Sequence, residues 1–346
     1  MEKTNKKRII YLDILNIIAI IAVVAMHQNG IVHENPNIRA WNTSLLVDCI
    51  CYFAVPVFIM NTGATLMDYR KKYDTKTFFQ KRLKKVLIPF IFWACVMFIW
   101  RIFILKTLEI HGIVDLCNAF FFSKEEDTYY FLFIIIGLYL IMPLLSCLTK
   151  EEYRKTLWYM FFLYIIIDGF VPNILSLYNI YWNGVITSNL GSLVIFVILG
   201  YLLSTEDLKK RDKIIIHIGA VLGLIYRYVI TFYLSKKTGM VNKLTWGYTS
   251  WNSILLAMSV FIIFKDLFEN KIKVSDNVAK ALSVISGCSF GIYLTHKIVL
   301  YYEVELLSIN IYTWQWRTVG VFLTYVITFT FVYIFKKIPV LKNIVP

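Results

Sequence analysis

Apolar residues run in long blocks along this chain, and short polar segments separate them. The blocks predict helices over 9–29, 44–67, 86–106, 128–148, 156–172, 187–204, 213–234, 250–268, 280–302 and 317–336. Each is near the roughly 20 residues that carry an α-helix across the hydrocarbon core of a bilayer. About ten spans therefore account for residues 1–346 as a single all-α, polytopic transmembrane bundle. The segment 107–127 contains "IVDLCNAFFF". It is too short to cross, and is expected as a partly buried outer loop.

Composition supports the same class. Hydrophobic residues make up 58% of the 346, and the mean hydropathy is +0.64, above the usual range of soluble domains. The first helix follows a basic start, "MEKTNKKR", but no small-residue cleavage site follows it, so it is expected to be retained. None of the six cysteines forms a metal-ligand pattern, and His33, His111 and His217 share no ligand spacing. No metal and no permanently bound cofactor are expected.

Charge orients the spans. With the N-terminus inside, the inner segments are "MEKTNKKR", "DYRKKYDTKTFFQKRLKK", "KEEYRK", "STEDLKKRDK", "KDLFENKIKVSDNVAK" and "KKIPVLKNIVP". They hold most of the 36 Lys and Arg, as the positive-inside rule requires for a cytoplasmic face. Both termini are thus expected in the cytoplasm, and the protein in the cytoplasmic membrane. The net charge of +14 is spread over separate loops, which suits topology and attraction to anionic lipid better than nucleic-acid binding.

The first span, "LDILNIIAIIAVVAMHQNG", keeps three polar side chains in an apolar run. At 100° per residue, Asn16 and His27 lie within about 20° of each other and Asp13 within about 60° of both. His27 is about 16 Å further along the axis. Polar groups at such depth normally face a bundle interior or a watery cavity, so this face predicts a passage from the inner towards the outer leaflet. Hydrogen bonding to neighbouring helices is the simpler alternative.

The order of motifs resembles the acyltransferase-three family of integral membrane acyltransferases. The family's Arg, ten residues, then His appears as Asn16, ten residues, then His27. "CYFAVPVFIMNTGATLM", "KRLKKVLIPF" with Arg82-x-x-Lys85, "FLFIIIGLYLIMPLL" and "SFGIYLTHKIVL" with His296 resemble further family segments in family order. The sequence is most similar to the single-domain, glycan O-acetyltransferase-like branch. The resemblance implies a cytoplasmic acyl-CoA donor, acetyl-CoA in that branch, and a hydroxyl acceptor on an extracytoplasmic glycan or lipid-linked saccharide. His27 then suits the general base that takes the hydroxyl proton, and Asn16, Arg82 and Lys85 the donor contacts, with Arg gripping phosphate bidentately and Lys as a point charge.

Asn16 carries no charge where the family has Arg. Arg227, in the seventh span, is the expected substitute cation, with an ion pair to Asp168 or snorkelling as its alternatives. Asp48 is expected either to orient His27 or to cap a helix, Asp13 to support the inner end, and His296 to make an interhelical packing contact. Outer-loop aromatics, Trp246, Tyr248 and Trp251 among them, form an interfacial belt and offer faces for sugar rings. A transporter or flippase of the same architecture, with no bond making, is the competing function. A non-catalytic membrane partner of a glycan synthase is a third.

Overall fold

The computed structural model describes residues 9–178, 180 and 193–345. Its regular elements are helices: α1 (Ile10–Gln28), α2 (Arg39–Cys51), α3 (Ala54–Leu66), α4 (Thr75–Arg82), α5 (Ile88–Ile99), α6 (Ile113–Phe121) and α7 (Tyr130–Leu145). They continue with α8 (Arg154–Tyr164), α9 (Val171–Leu177), α10 (Val194–Thr205), α11 (Lys210–Thr238), α12 (Trp251–Asp266), α13 (Asp276–Leu307) and α14 (Trp314–Lys337). Several of these join end to end. Among the described residues nine continuous helical stretches are long and apolar enough to cross a membrane, and α10 is a shorter apolar helix. The bundle is thus all-α and polytopic. The predicted span 187–204 is met by α10 over its second half, and its first residues lie outside the described ones.

Backbone polar groups cannot be left open in lipid, which is why the spans are helical. Their ends carry recognisable stops. Asp74 caps α4 by accepting from the Thr77 N–H at 3.0 Å, and Gly239 ends α11 in the left-handed region, φ +70°, where glycine meets no steric cost. Wider π turns link α4 to α5 (Leu83–Leu87) and interrupt other spans at Trp100–Ile104, Ile165–Phe170 and Leu267–Lys271. Such turns recur at functional sites, and the first carries Lys84 and Lys85.

α1 occupies the middle of the assembly, packed against α13, α3 and α14, and α3 in turn packs on α10. The α3–α10 contact is backbone to backbone: a Cβ on Gly63 would collide with the Val197 carbonyl, and one on Gly200 with the Met60 carbonyl. Small residues that allow such an approach drive helix association in membranes, where no hydrophobic force separates helix from lipid.

One predicted loop is more ordered than expected. Within 107–127 the chain forms α6, with Ile113, Val114 and Phe121 exposed and Ala119 buried. Nine residues cannot span, but they suffice for an amphipathic helix.

Candidate functional site

The polar face of α1 meets α13 at two levels. At the first, the Asn16 Nδ2 donates to Ser286 Oγ at 3.4 Å, while the Asn16 Oδ1 accepts from Asn61 Nδ2 of α3 at 2.8 Å. At the second, the rings of His27 and His296 lie 5.1 Å apart, centroid to centroid. The levels are eleven residues apart on α1 and ten on α13, about 16 and 15 Å of helix rise. The two helices therefore run parallel and in register.

His296 is fully buried, and its Nδ1 lies 2.8 Å from the Tyr293 carbonyl oxygen. A ring nitrogen facing a carbonyl must carry the proton, so Nε2 is the basic nitrogen. That Nε2 has no hydrogen-bond partner among the described residues. His27 is half-buried. The pair thus presents one imidazole with a fixed tautomer and an open acceptor beside another with accessible surface. The packing role expected for His296 is incomplete, since packing alone would leave an orphaned buried acceptor.

Below this pair lies a cavity of about 510 Å³. Asn16, Asn61, Ser286 and Ser289 line it, with Arg82 and Lys85 from the α4–α5 junction and Lys336 from α14. Among the described residues no Asp or Glu is in the lining. Three lining atoms, Arg82 Nε, Asn61 Oδ1 and Ser289 Oγ, are buried without a hydrogen-bond partner among the described residues. Arg82 is positioned by aromatic rings, its guanidinium carbon 5.9 Å from the centroid of Phe78 and 5.7 Å from that of Tyr139. Arg82 also borders a second cavity of about 430 Å³ between α4 and α7, whose lining is mostly apolar. The arrangement fits an anionic group held at the cationic walls and an uncharged arm along the hydroxyl and amide face.

The lining ends at Phe58, Phe131 and Tyr293 on the side of the histidines. Phe131 is 6.4 Å from Phe58 and 5.6 Å from Tyr293, and Tyr293 is 6.1 Å from His296. His27 and His296 stand one helical turn beyond this aromatic ring and are not themselves in the lining. The predicted passage is therefore partitioned: an amphipathic chamber, three aromatic side chains, then the imidazoles.

The remaining candidates separate. Asn16, Arg82 and Lys85 come together in the cavity, as expected. Asp13 is buried on α1 but does not line it. Arg227 does not stand in for the missing cation. Its Nη2 donates to Asp48 Oδ2 at 3.0 Å, and its guanidinium carbon lies 3.3 Å from the Tyr52 ring centroid and 5.5 Å from that of Trp246. A buried guanidinium needs both a counter-charge and satisfied donors, and Asp48 on α2 supplies the charge. The ion pair of Arg227 is thus with Asp48 on α2. The same bond engages the Asp48 carboxylate with Arg227 in place of either role predicted for it, orienting His27 or capping: Asp48 lies inside α2, nine residues after its first residue, Arg39.

Beside the histidines, where the segment leading into α7 meets α13, a polar cluster completes the site. The Tyr293 hydroxyl donates to the Thr128 carbonyl, and the Tyr129 hydroxyl to the Leu294 carbonyl at 2.7 Å. Lys297 Nζ is 4.0 Å from Glu126 Oε1. Burial pushes the carboxyls of Glu125 and Glu126 up to about 7, and for Glu126 a hydrogen bond with Asp127 adds to it. Burial also lowers the pKa of His33, whose ring lies 5.3 Å from that of Trp246. Sequence reasoning missed Asn61, Ser286, Ser289 and Lys336. Asn61 was the most accessible of these, as a carboxamide inside an apolar run.

An all-helical membrane bundle with a cationic chamber on one side and paired imidazoles on the other defines a class: a polytopic integral membrane protein with a polar site inside its bundle. The acyltransferase domain family model, acyltransferase-three, matches residues 9–336. The chain belongs to that family, and is a multi-pass membrane acyltransferase. Comparison with curated proteins and with solved structures gives no match.

Proposed function

We propose that the protein moves an acyl group, most simply acetyl, from cytoplasmic acyl-CoA to a hydroxyl of an extracytoplasmic cell-envelope glycan or lipid-linked saccharide. In this reading the basic loops, both termini and the mouth at Arg82, Lys85 and Lys336 face the cytoplasm, and the membrane is the cytoplasmic one. The observation that carries it is the cavity: among the described residues, three cations, no carboxylate and three buried polar atoms without partners converge where a phosphorylated donor would enter. Buried polar atoms without a partner are costly in such a bundle unless a ligand completes them.

The chemistry follows from the levels of the site. The phosphates stay with the cations, and the uncharged pantetheine arm runs past Asn16 and Asn61 towards Phe58, Phe131 and Tyr293. The thioester carbonyl passes the aromatic ring and meets the acceptor hydroxyl beside His27. His27 takes the hydroxyl proton as the oxygen attacks the carbonyl carbon. The C–S bond then breaks, and the proton passes to the leaving thiolate. His296, with Nδ1–H held on the Tyr293 carbonyl, keeps its Nε2 available to orient a protonated His27. General-base assistance of this kind contributes about 10²- to 10⁴-fold.

The test is transfer of radiolabelled acetyl from acetyl-CoA to a cell-envelope saccharide fraction by purified protein in liposomes. His27→Ala should lose transfer by about that factor while retaining acetyl-CoA binding and thermal stability. Full transfer by His27→Ala would refute the base, and absence of acetyl-CoA binding by the wild type would refute the donor.

A further inference from the structure

We infer that Lys336 is a donor-binding residue: it holds a phosphate of the acyl donor in the cavity that it lines together with Arg82 and Lys85. The inference rests on the donor reading above and adds a group that no sequence motif marks. Lys336 and Lys337 both end α14, yet they diverge. Lys337 Nζ lies over the exposed side of its own helix, 4.4 Å from the Tyr333 ring centroid. Lys336 turns inward instead, and its Nζ donates to the Gly287 carbonyl at 2.7 Å. An ammonium has three N–H donors, so this bond fixes its place at the cavity wall and leaves two donors for a ligand. Among the described residues Lys336 makes no ion pair, and no Asp or Glu lines its cavity.

The placement is not what topology alone would produce. A lysine kept only for the positive-inside rule gains most by staying in water, where an ammonium is strongly hydrated. Lys336 is half-buried against α13. It shares the stretch Ser286–Gly287 with Asn16, whose Nδ2 reaches Ser286 Oγ. The uncharged amide of Asn16 and the charge of Lys336 are thus brought to one patch of the wall from α1 and α14. The Nε of Arg82 and the Oγ of Ser289 in the same lining, both buried without a partner among the described residues, are independently suited to a polar ligand. Two cations from the α4–α5 junction and one from α14 would grip different oxygens of a multiply phosphorylated nucleotide.

Binding of acetyl-CoA and of S-acetylpantetheine, which lacks the nucleotide phosphates, is measured by calorimetry on the full chain in detergent. Lys336→Ala should weaken acetyl-CoA binding about tenfold or more, with a shallower salt dependence, and leave S-acetylpantetheine binding unchanged. Lys336→Arg should bind acetyl-CoA within about threefold of wild type. Asn16→Arg combined with Lys336→Ala should recover much of the loss, because it returns a cation to the same patch. Wild-type affinity in Lys336→Ala would overturn the inference while leaving the donor reading intact. Equal loss of both ligands, unrescued by Asn16→Arg, would make Lys336 a packing residue and also overturn it. Lys336-dependent binding of phosphatidylglycerol that does not compete with acetyl-CoA would assign the charge to a lipid headgroup and overturn it as well. Failure of the wild type to bind acetyl-CoA would remove the donor reading together with this inference.

Discussion

At the scale of single residues, the Asp48–Arg227 ion pair is deeply buried, with relative side-chain exposures of 7% and 2%. Removing one partner leaves the other buried and uncompensated, which typically costs about 3–5 kcal/mol. Arg227→Met and Asp48→Asn should each lower thermal stability in detergent strongly, and the double variant should be less destabilised than the sum of the two. Additive losses would show that the two do not act as a pair.

Glu125 provides a pH signature at the same scale. Its carboxyl has no exposed surface and is pushed up to about 7 by burial, above its ordinary value of 4.5. A carboxyl raised on folding binds its proton more tightly in the native state, so its contribution disfavours the folded form increasingly as pH rises from about 4.5 to 7. Below that window the contribution vanishes. Glu125→Gln should therefore melt at a higher temperature than wild type at pH 8 and at nearly the same temperature at pH 4. An equal difference at both values would mean the carboxyl titrates normally.

At the scale of helices, the α3–α10 crossing depends on two glycines. Gly63→Ala or Gly200→Ala would press a methyl into a carbonyl of the facing backbone. Backbone gives way less readily than a side chain, so the cost should reach the upper end of the overpacking range, about 3 kcal/mol. Since α3 also carries Asn61, separation of the helices should weaken donor binding too. A Gly200→Ala variant with wild-type melting temperature would contradict that packing.

Much of this level is legible in the sequence, for a physical reason. In lipid the backbone must satisfy itself within each span, so hydropathy reports existence and approximate length of the helices directly. The shared face of Asn16 and His27 is likewise a consequence of helix periodicity. What periodicity cannot report is the neighbour that the face meets. It placed Arg227 within the membrane but could not distinguish Asp48, 179 residues away in sequence, from Asp168. It counted Lys336 as a topological charge because an inward and an outward lysine at a helix end look alike. It treated His296 as packing because the orphaned Nε2 appears only once the surroundings are assembled. The nine-residue α6 fell below the length at which apolar content signals a span.

At the scale of the whole molecule, the proposed orientation can be read by labelling. Single cysteines replacing Gln80 and Lys237 in a cysteine-free background should react with a membrane-impermeant maleimide on opposite sides. Lys237→Cys should label in intact cells, and Gln80→Cys only after permeabilisation. The reverse pattern would invert the bundle and place the cationic mouth outside.

The aromatic trio Phe58, Phe131 and Tyr293 has an electrical consequence on that orientation. If the chamber beneath it is wetted from the cytosol, the insulating part of the membrane thins locally to little more than these side chains, and the transmembrane voltage falls mostly across them. Each elementary charge crossing them would do work of about 2.3 kcal/mol per 100 mV. A pantetheine arm carries no charge, so it slips through without electrical work while the phosphates stay on the near side of the drop.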